Sequence, residues 1–96
     1  MTRIYVVTYD ISDPKRLRQV FQTMKAYGEH LQLSVFLCDL SQTRLVRMRS
    51  DLEDIILPSE DQVLIVDLGP AVGLSAKRIL ALGRPYKLEK RHAYIV

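Results

Sequence analysis

The chain has 96 residues, 48% of them hydrophobic and 26% charged, a composition that fits one ordinary globular domain and excludes two compact domains or a disordered tail. No apolar run approaches the roughly 18 residues that a membrane span needs, so we expect a cytoplasmic protein without membrane contact. The net charge of +3 combines eight basic and four acidic side chains through Ser50, six acidic and no basic ones from Asp51 to Asp67, and six basic and one acidic one thereafter. Two basic stretches suggest a polyanionic partner, nucleic acid being the commonest.

The first predicted element is a strand from Arg3 to Asp10, because RIYVVTYD is rich in β-branched and aromatic residues and precedes the turn-prone ISDP. Apolar side chains fall on both of its faces, Ile4 and Val6 on one and Tyr5, Val7 and Tyr9 on the other. A strand that is apolar on both faces is typical of the centre of a sheet. We therefore expect this strand to be central and covered on both sides.

A helix follows, with Asp13 as its N-cap, Pro14 at its first helical position and Gly28 placed to stop it. Its apolar stripe is formed by residues three and four positions apart, namely Leu17, Val20, Phe21 and Met24. Basic side chains lie off this stripe.

Residues 29 to 39, EHLQLSVFLCD, alternate in the manner of a strand but are long for a single one. A tight reversal near Leu33 and Ser34 would divide them into two strands, although no glycine or Asn-Gly pair marks the turn. The single cysteine, Cys38, excludes an internal disulfide and a thiolate zinc site. We interpret it as a small buried apolar group.

A second helix is predicted to begin after the N-cap Ser41 and to end before Pro58. Its apolar stripe consists of Leu45, Met48, Leu52 and Ile55. A polar turn over residues 59–62 leads to a buried strand from Val63 to Leu68. In the tail, the pattern predicts a short helix over residues 75–82, a turn over 83–85 and a short strand over 93–96.

The order of these elements predicts an α+β fold, a ferredoxin-like βαββαβ sandwich. Two helices cover only one face of a sheet, and a small protein does not leave a second apolar face in water. We therefore predict a homodimer packed sheet to sheet, with an extra C-terminal strand, residues 93–96, that pairs with the partner subunit. In this prediction residues 1–96 form a single domain, with the core over 1–69 and the tail over 70–96.

Asp10 is the residue that most suggests chemistry, because it is an acid at the carboxyl end of an apolar central strand. The sequence contains no Gly-rich phosphate loop, His-Glu metal motif, cysteine pair or nucleophile elbow. A structural role for Asp10 would be to bond the loop amides before the helix. Alternatively, a twofold axis would pair Asp10 with its copy, and paired carboxylates with water bind Mg²⁺ or Mn²⁺.

Three segments in one order, YVVTYDIS (5–12), YGEHLQLSVFLCDL (27–40) and VLIVDLG (63–69), resemble the CRISPR-associated protein 2 family of small adaptation proteins, also described as metal-dependent endonucleases. The resemblance covers nearly the whole chain and is loose in the tail. It implies a ferredoxin-like homodimer whose final strand crosses to the partner, and a divalent metal ion held by Asp10 and its copy. It also implies a partner protein, the integrase CRISPR-associated protein 1.

The same resemblance implies a part in activity or substrate contact for Tyr9, Arg16, Arg18 and Phe36, and it places Ser34 in a Ser-Val-Phe signature. His30 stands where the family commonly has arginine after Gly-Glu, so a phosphate contact there would be weaker or pH-dependent. Each residue also has a structural interpretation. Tyr9 and Phe36 would be packed aromatics, Arg16 and Arg18 a solvated helix face, and His30 a surface residue.

Three functions remain open at this level. The first is a Mg²⁺-dependent endonuclease that cuts single-stranded RNA or DNA through Asp10, with Arg16 and Arg18 holding the flanking backbone. The second is a non-catalytic dimeric scaffold that holds duplex DNA and the integrase during spacer capture. The third, a sheet-face RNA-binding or small-ligand regulatory domain, is disfavoured because SVFLCDL lacks the glycines of an RNA-recognition strand.

Overall fold

A computed structural model describes residues 1–72 and 79–85. In these residues the elements are β1 (Arg3–Asp10), α1 (Pro14–Met24), β2 (Glu29–Gln32), β3 (Val35–Leu40), α2 (Gln42–Glu53) and β4 (Gln62–Pro70). The strands form one antiparallel sheet in the order β2-β3-β1-β4. This order is that of the ferredoxin-like fold, so the predicted fold class is confirmed. Neither described helix has the length and apolar content to cross a membrane.

β1 is central in the sheet, as predicted, with β3 on one side and β4 on the other. Its burial alternates because successive side chains point to opposite faces. Tyr5, Val7 and Tyr9 face the helices and are almost fully buried, whereas Ile4 and Val6 are only partly buried. The two helices therefore cover one face of the sheet and leave the other uncovered.

The predicted capping residues begin both helices. Asp13 accepts a hydrogen bond from the amide of Arg16 at 2.9 Å, and Ser41 accepts one from the amide of Arg44 at 3.2 Å. The side chains packed into the core from the helices include Val20, Met24, Met48 and Leu52. Leu17, predicted to belong to the stripe of α1, is 41% exposed and is not part of the buried core.

Gly28 does not stop α1 directly, since the helix ends four residues earlier, at Met24. Its amide closes the following turn by donating to the carbonyl of Met24 at 3.1 Å. A Cβ atom at position 28 would lie 2.5 Å from Sγ of Cys38 and 2.6 Å from the carbonyl oxygen of Leu37. Glycine is therefore required there because the chain passes directly over β3.

The predicted reversal at Leu33 and Ser34 is confirmed as a two-residue hairpin loop between β2 and β3, with Gln32 paired with Val35. Leu33 has a φ of 24° and is 89% exposed. The sequence shows no typical turn residue here because this turn places a leucine where glycine or asparagine is usual. The loop lies at the same end of the sheet as Asp10, since β1 and β3 are antiparallel.

β4 begins one residue before the predicted strand and ends two residues after it. Residues 79–82 have no regular secondary structure, so this part of the predicted short helix is wrong. Leu80 and Leu82 are 86% and 90% exposed, so they bury little apolar surface that would stabilise a short helix. The chain bends at Gly83, as predicted. The predicted strand over 93–96 and residues 75–78 lie outside the described residues.

The sheet face opposite the helices, which no described helix covers and which we call the uncovered face, is apolar. At its β2–β3 side the described residues 79–82, 84 and 85 line a cleft together with Leu31, Gln32 and Val35. The uncovered face carries side chains from three adjacent strands in register, namely Val6 and Thr8 of β1, Val35 and Leu37 of β3, and Leu64 and Val66 of β4. Leu64 is 50% exposed and Val66 is 46% exposed. The expected second apolar face is therefore present, and the homodimer predicted to bury it stays a prediction.

Candidate metal and nucleic-acid site

Asp10 is exposed at the carboxyl end of β1, where its backbone is paired with Gln62 of β4. Within residues 1–72 and 79–85 its carboxylate makes no hydrogen bond or ion pair. The structural interpretation, in which Asp10 bonds loop amides, is therefore not what the described residues show. A carboxylate that is exposed and without a partner is free to bind an external ligand.

Asp61, and not Asp10, is the acid that accepts hydrogen bonds from the loop amides before α1. Its side chain has no solvent exposure and accepts hydrogen bonds from four groups of the two neighbouring loops and α1. Oδ1 accepts from the amide of Ser12 at 3.0 Å and from its hydroxyl at 3.2 Å, and Oδ2 accepts from the amide of Leu57 at 2.8 Å. Arg16 donates through Nε to Oδ2 at 2.7 Å and through Nη2 to Oδ1 at 3.2 Å.

These contacts make Asp61 a firmly ionised residue. The Arg16 hydrogen bond is the main cause that holds the pKa of Asp61 well below its ordinary value, and the amides of Leu57 and Ser12 act in the same direction. Nη2 of Arg16 also lies 3.3 Å from Oε1 of Glu60 and 3.3 Å from the Ser12 hydroxyl. We call Ser12, Arg16, Leu57, Glu60 and Asp61 the Asp61 network. Two acidic residues thus already engage the charge of Arg16.

Arg18, by contrast, is exposed on α1 and forms no ion pair with any described residue. Arg16 and Arg18 were predicted together as contacts for nucleic acid. The structure separates them, because of these two arginines only Arg18 offers a guanidinium group without a partner among the described residues. Both assignments to nucleic-acid binding stay predictions.

Tyr9 and Phe36 lie in the core under the helices. Phe36 is fully buried and Tyr9 is 5% exposed, and their rings stack with centroids 6.3 Å apart. Burial raises the pKa of Tyr9, which keeps its hydroxyl protonated. Neither ring presents a face to solvent, so both are packed aromatics in this structure, as the structural interpretation has it. Both rings lie in the core on the side of the sheet that the helices cover, near the carboxyl end of β1.

His30 and Ser34 lie at the β2–β3 hairpin, beside the end of β1. His30 is exposed, its Nε2 donates to the carbonyl of Leu33 at 2.7 Å, and its ring packs on the edge of Phe21 with centroids 5.0 Å apart. The carbonyl of Ser34 accepts a hydrogen bond from the amide of Tyr9 at 3.2 Å. The fold therefore brings His30, Ser34 and Asp10 to one end of the sheet.

One chain offers only part of a metal site. The described residues contain no group of three or more histidine, cysteine, aspartate or glutamate side chains arranged to hold a metal ion. Asp10 supplies one exposed carboxylate that has no partner in the described part of the chain, and carboxylate oxygen is the ligand that Mg²⁺ and Mn²⁺ prefer. The donor set therefore fits half of a site shared between two copies and does not fit a site within one chain.

Asp61 was not identified from the sequence, where residues 59–62 predict only a polar turn. The available signal was an acid directly before the strand that pairs with β1.

Cys38 fulfils its prediction, because it is fully buried and burial raises the pKa of its thiol to about 12.

Comparisons with known proteins agree with the fold described above. Residues 2–71 match the family model described as CRISPR associated protein Cas2. The CRISPR-associated endoribonuclease Cas2 1 of Rhodospirillum rubrum is 49% identical over 96% of this chain and 89% of that protein. The CRISPR-associated endoribonuclease Cas2 of Geobacter sulfurreducens is 41% identical over the full length of both chains. The crystal structure of Streptococcus pyogenes Cas2 superposes with a TM-score of 0.66 and 30% identity, covering 83% of this chain and 99% of that one. The chain belongs to the CRISPR associated protein Cas2 family.

Proposed function

We propose that this protein is a metal-dependent endonuclease that hydrolyses phosphodiester bonds of single-stranded RNA, DNA or both, and that it takes part in CRISPR adaptation and antiviral defence. The observation that carries the proposal is Asp10, an exposed carboxylate without a partner in the described residues at the end of a rigid central strand. The endoribonuclease names of the similar proteins support the same activity.

The proposed active form is a homodimer. The uncovered face supports it, because half-exposed Leu64 and Val66 of β4 lie beside partly buried apolar side chains of β1 and β3, and a second copy would bury this apolar surface. Among the described strands β4 lies at one edge of the sheet, so no described strand occupies the side proposed to pair with residues 93–96 of a partner. Twofold symmetry then brings two Asp10 carboxylates to one site.

Each residue has a defined part in this proposal. The two Asp10 carboxylates would hold Mg²⁺ or Mn²⁺, and a divalent ion in such a site activates water and neutralises charge that develops on the phosphate. Arg18 provides a positive group for the flanking backbone. His30 and Ser34 border the site on the hairpin side. Cleavage of this kind leaves a 5′-phosphate and does not require a 2′-hydroxyl group.

The test compares wild type with Asp10→Asn on single-stranded RNA and DNA, each with Mg²⁺ and with EDTA. Asp54→Asn is a matched control, because Asp54 is also an exposed carboxylate but lies at the end of α2. We expect cleavage by wild type and Asp54→Asn in Mg²⁺ and none by Asp10→Asn or in EDTA. Equal cleavage in all reactions would contradict the proposal and indicate a contaminating nuclease.

A second function, a non-catalytic scaffold that holds duplex DNA for the integrase CRISPR-associated protein 1, has its own support. Arg18 of α1 and Arg47 and Arg49 of α2 are exposed and form no ion pair within the described ranges, which leaves positive groups on both helices. A scaffold would bind duplex DNA with a steep salt dependence that survives Asp10→Asn, because counterion release requires cations and not the metal. Normal spacer acquisition by cells carrying Asp10→Asn would favour the scaffold over the nuclease.

A further inference from the structure

We propose that Asp61, together with Arg16, is a positioning pair that fixes the backbone from which the Asp10 carboxylate projects. The inference rests on the proposed nuclease function for its catalytic consequence. Asp61 would not touch substrate or metal. It would act through the backbone on both sides of Asp10.

The first connection lies on the chain after Asp10. Ser12 is two residues beyond Asp10, and both its amide and its hydroxyl donate to Oδ1 of Asp61, at 3.0 Å and 3.2 Å. Ile11, between them, is 9% exposed and packed into the core. The segment that leaves the candidate site is therefore held at Ile11 by packing and at Ser12 by two hydrogen bonds to a side chain with no solvent exposure.

The second connection runs through the sheet. Gln62, the residue after Asp61, is the ladder partner of Asp10 at the end of β4. Asp61 also accepts from the amide of Leu57 at 2.8 Å, which closes the loop between α2 and β4. One buried carboxylate thus fixes the strand beside Asp10 and the loop that follows Asp10, and the two connections restrict the same short piece of backbone.

Arg16 is committed to this network. If Arg16 swung away to bind a phosphate, the carboxylate of Asp61 would remain buried with its main charge partner removed, which is strongly unfavourable. The Arg16 side chain is itself only 22% exposed. Any effect of Arg16 on activity is therefore assigned to its contact with Asp61, and the phosphate contact to Arg18, which forms no ion pair with the residues that the structure describes.

The positioning role predicts a specific kinetic pattern. Asp61→Asn keeps the shape of the side chain but loses the charge that holds Arg16, so Ser12 and the backbone at Asp10 gain freedom. Since displacement of a catalytic group by about 1 Å can lower the rate by roughly 100-fold, we expect kcat to fall by about 10- to 100-fold. KM for the nucleic acid should change by less than about twofold, because the cations that bind it are untouched.

Asp67→Asn is the matched control. Asp67 lies within β4, whereas Asp61 directly precedes it, but Asp67 also accepts from an arginine, Arg3, at 3.1 Å, and from a backbone amide, that of Gly69, at 2.8 Å. It lies toward the opposite end of β4 from Asp61. Assays run well below the melting temperatures of both variants should show wild-type kcat for Asp67→Asn. Wild-type kcat for Asp61→Asn would overturn the proposal.

A second measurement does not depend on activity. In ¹⁵N-labelled protein without metal, Asp61→Asn should shift the amide resonances of Asp10 and Ser12 and speed hydrogen exchange at the Ser12 amide by roughly tenfold or more. Asp67→Asn should leave these signals unchanged. Unchanged Asp10 and Ser12 signals in Asp61→Asn would contradict the positioning role directly.

A double-mutant cycle then separates the two roles of Arg16. If Arg16 acts through Asp61, the losses of kcat in Arg16→Gln and Asp61→Asn are not additive, and RNA affinity stays near that of wild type. If Arg16 clamps a phosphate, Arg16→Gln weakens RNA binding and its effect adds to that of Asp61→Asn, which would overturn the assignment. Should wild type prove not to be a nuclease, the proposed function fails, and the amide signals alone still decide whether Asp61 positions Asp10.

Discussion

The amide nitrogen of Ser12 lies 3.0 Å from Oδ1 of Asp61, a contact between residues 49 positions apart in the chain. It ties the loop after β1 to the loop before β4 at the end of the sheet where Asp10 is exposed. The consequence is that Asp10, whose carboxylate makes no hydrogen bond or ion pair with the described residues, is carried by backbone that the contacts of Asp61 hold. This arrangement suits a group that must bind an external ligand in a fixed place.

Acid should weaken the fold through Asp61. Because its pKa is lowered in the folded state, mainly by Arg16, the folded protein binds fewer protons than the unfolded chain. The resulting stabilisation is complete above the unfolded pKa of about 3.9 and is lost as the pH falls through the lower folded value. In urea denaturation we expect the free energy of unfolding to fall more steeply below about pH 5 for wild type than for Asp61→Asn. Parallel pH profiles for the two proteins would contradict this role.

Gly28→Ala should destabilise the protein by about 1–3 kcal/mol, the usual cost of overpacking a filled interior. The new methyl group would meet Sγ of Cys38 and the backbone oxygen of Leu37 at distances that real contacts do not show. Cys38→Ala in the same chain relieves only the sulfur contact, so the double variant should remain less stable than Cys38→Ala alone. Thermal melting of the four proteins measures the difference. Equal stability of wild type and Gly28→Ala would show that the turn at position 28 can move away from β3 without cost.

Phe36 should matter for stability and not for base stacking. Phe36→Ala removes a fully buried ring and should lower the free energy of unfolding by about 3–5 kcal/mol. Phe36→Leu keeps most of the apolar volume and should fold, with RNA affinity within about twofold of wild type at temperatures where it is native. Fluorescence anisotropy with a labelled RNA gives the affinity. A tenfold or greater loss of affinity in folded Phe36→Leu would support a direct contact with a base.

Val66→Lys on the uncovered face should prevent dimerisation and abolish cleavage while leaving the monomer folded. The side chain is 46% exposed in one chain, so lysine is tolerated there until a second copy covers it. Val46→Lys is a matched control, because Val46 is 56% exposed but lies on α2, away from the uncovered face. Sedimentation equilibrium should show a monomer for the first variant and a dimer for the second. A Val66→Lys dimer that cleaves normally would place the interface elsewhere.

Local sequence patterns were sufficient for most of the fold. β1 follows the predicted bounds, and Asp13, Ser41 and the Leu33–Ser34 reversal act where they were predicted, because capping and alternation depend on neighbours within a few residues. The same alternation did not reveal which face of β1 the helices cover. That choice decides whether Tyr9 and Phe36 are packed or accessible, and it depends on how distant elements pack.

The candidate site was predictable only in part. Asp10 can be recognised as a candidate from the sequence alone, because an acid at the end of an apolar strand is unusual. The partners of Arg16 could not be recognised from the sequence, because Glu60 and Asp61 lie 44 and 45 positions away and no local pattern joins them to Arg16. For the same reason the block of six acidic residues looked like an isolated negative segment, although three of its members, Glu60, Asp61 and Asp67, are paired with arginines from the first part of the chain.

The most direct test of the account is the stoichiometry of Mn²⁺ binding, measured by electron paramagnetic resonance titration of wild type and Asp10→Asn. The account predicts one tightly bound Mn²⁺ for every two chains of wild type, since each chain supplies half of the site, and no such binding by Asp10→Asn. One Mn²⁺ per chain, or binding that survives Asp10→Asn, would contradict a metal shared between the two Asp10 carboxylates.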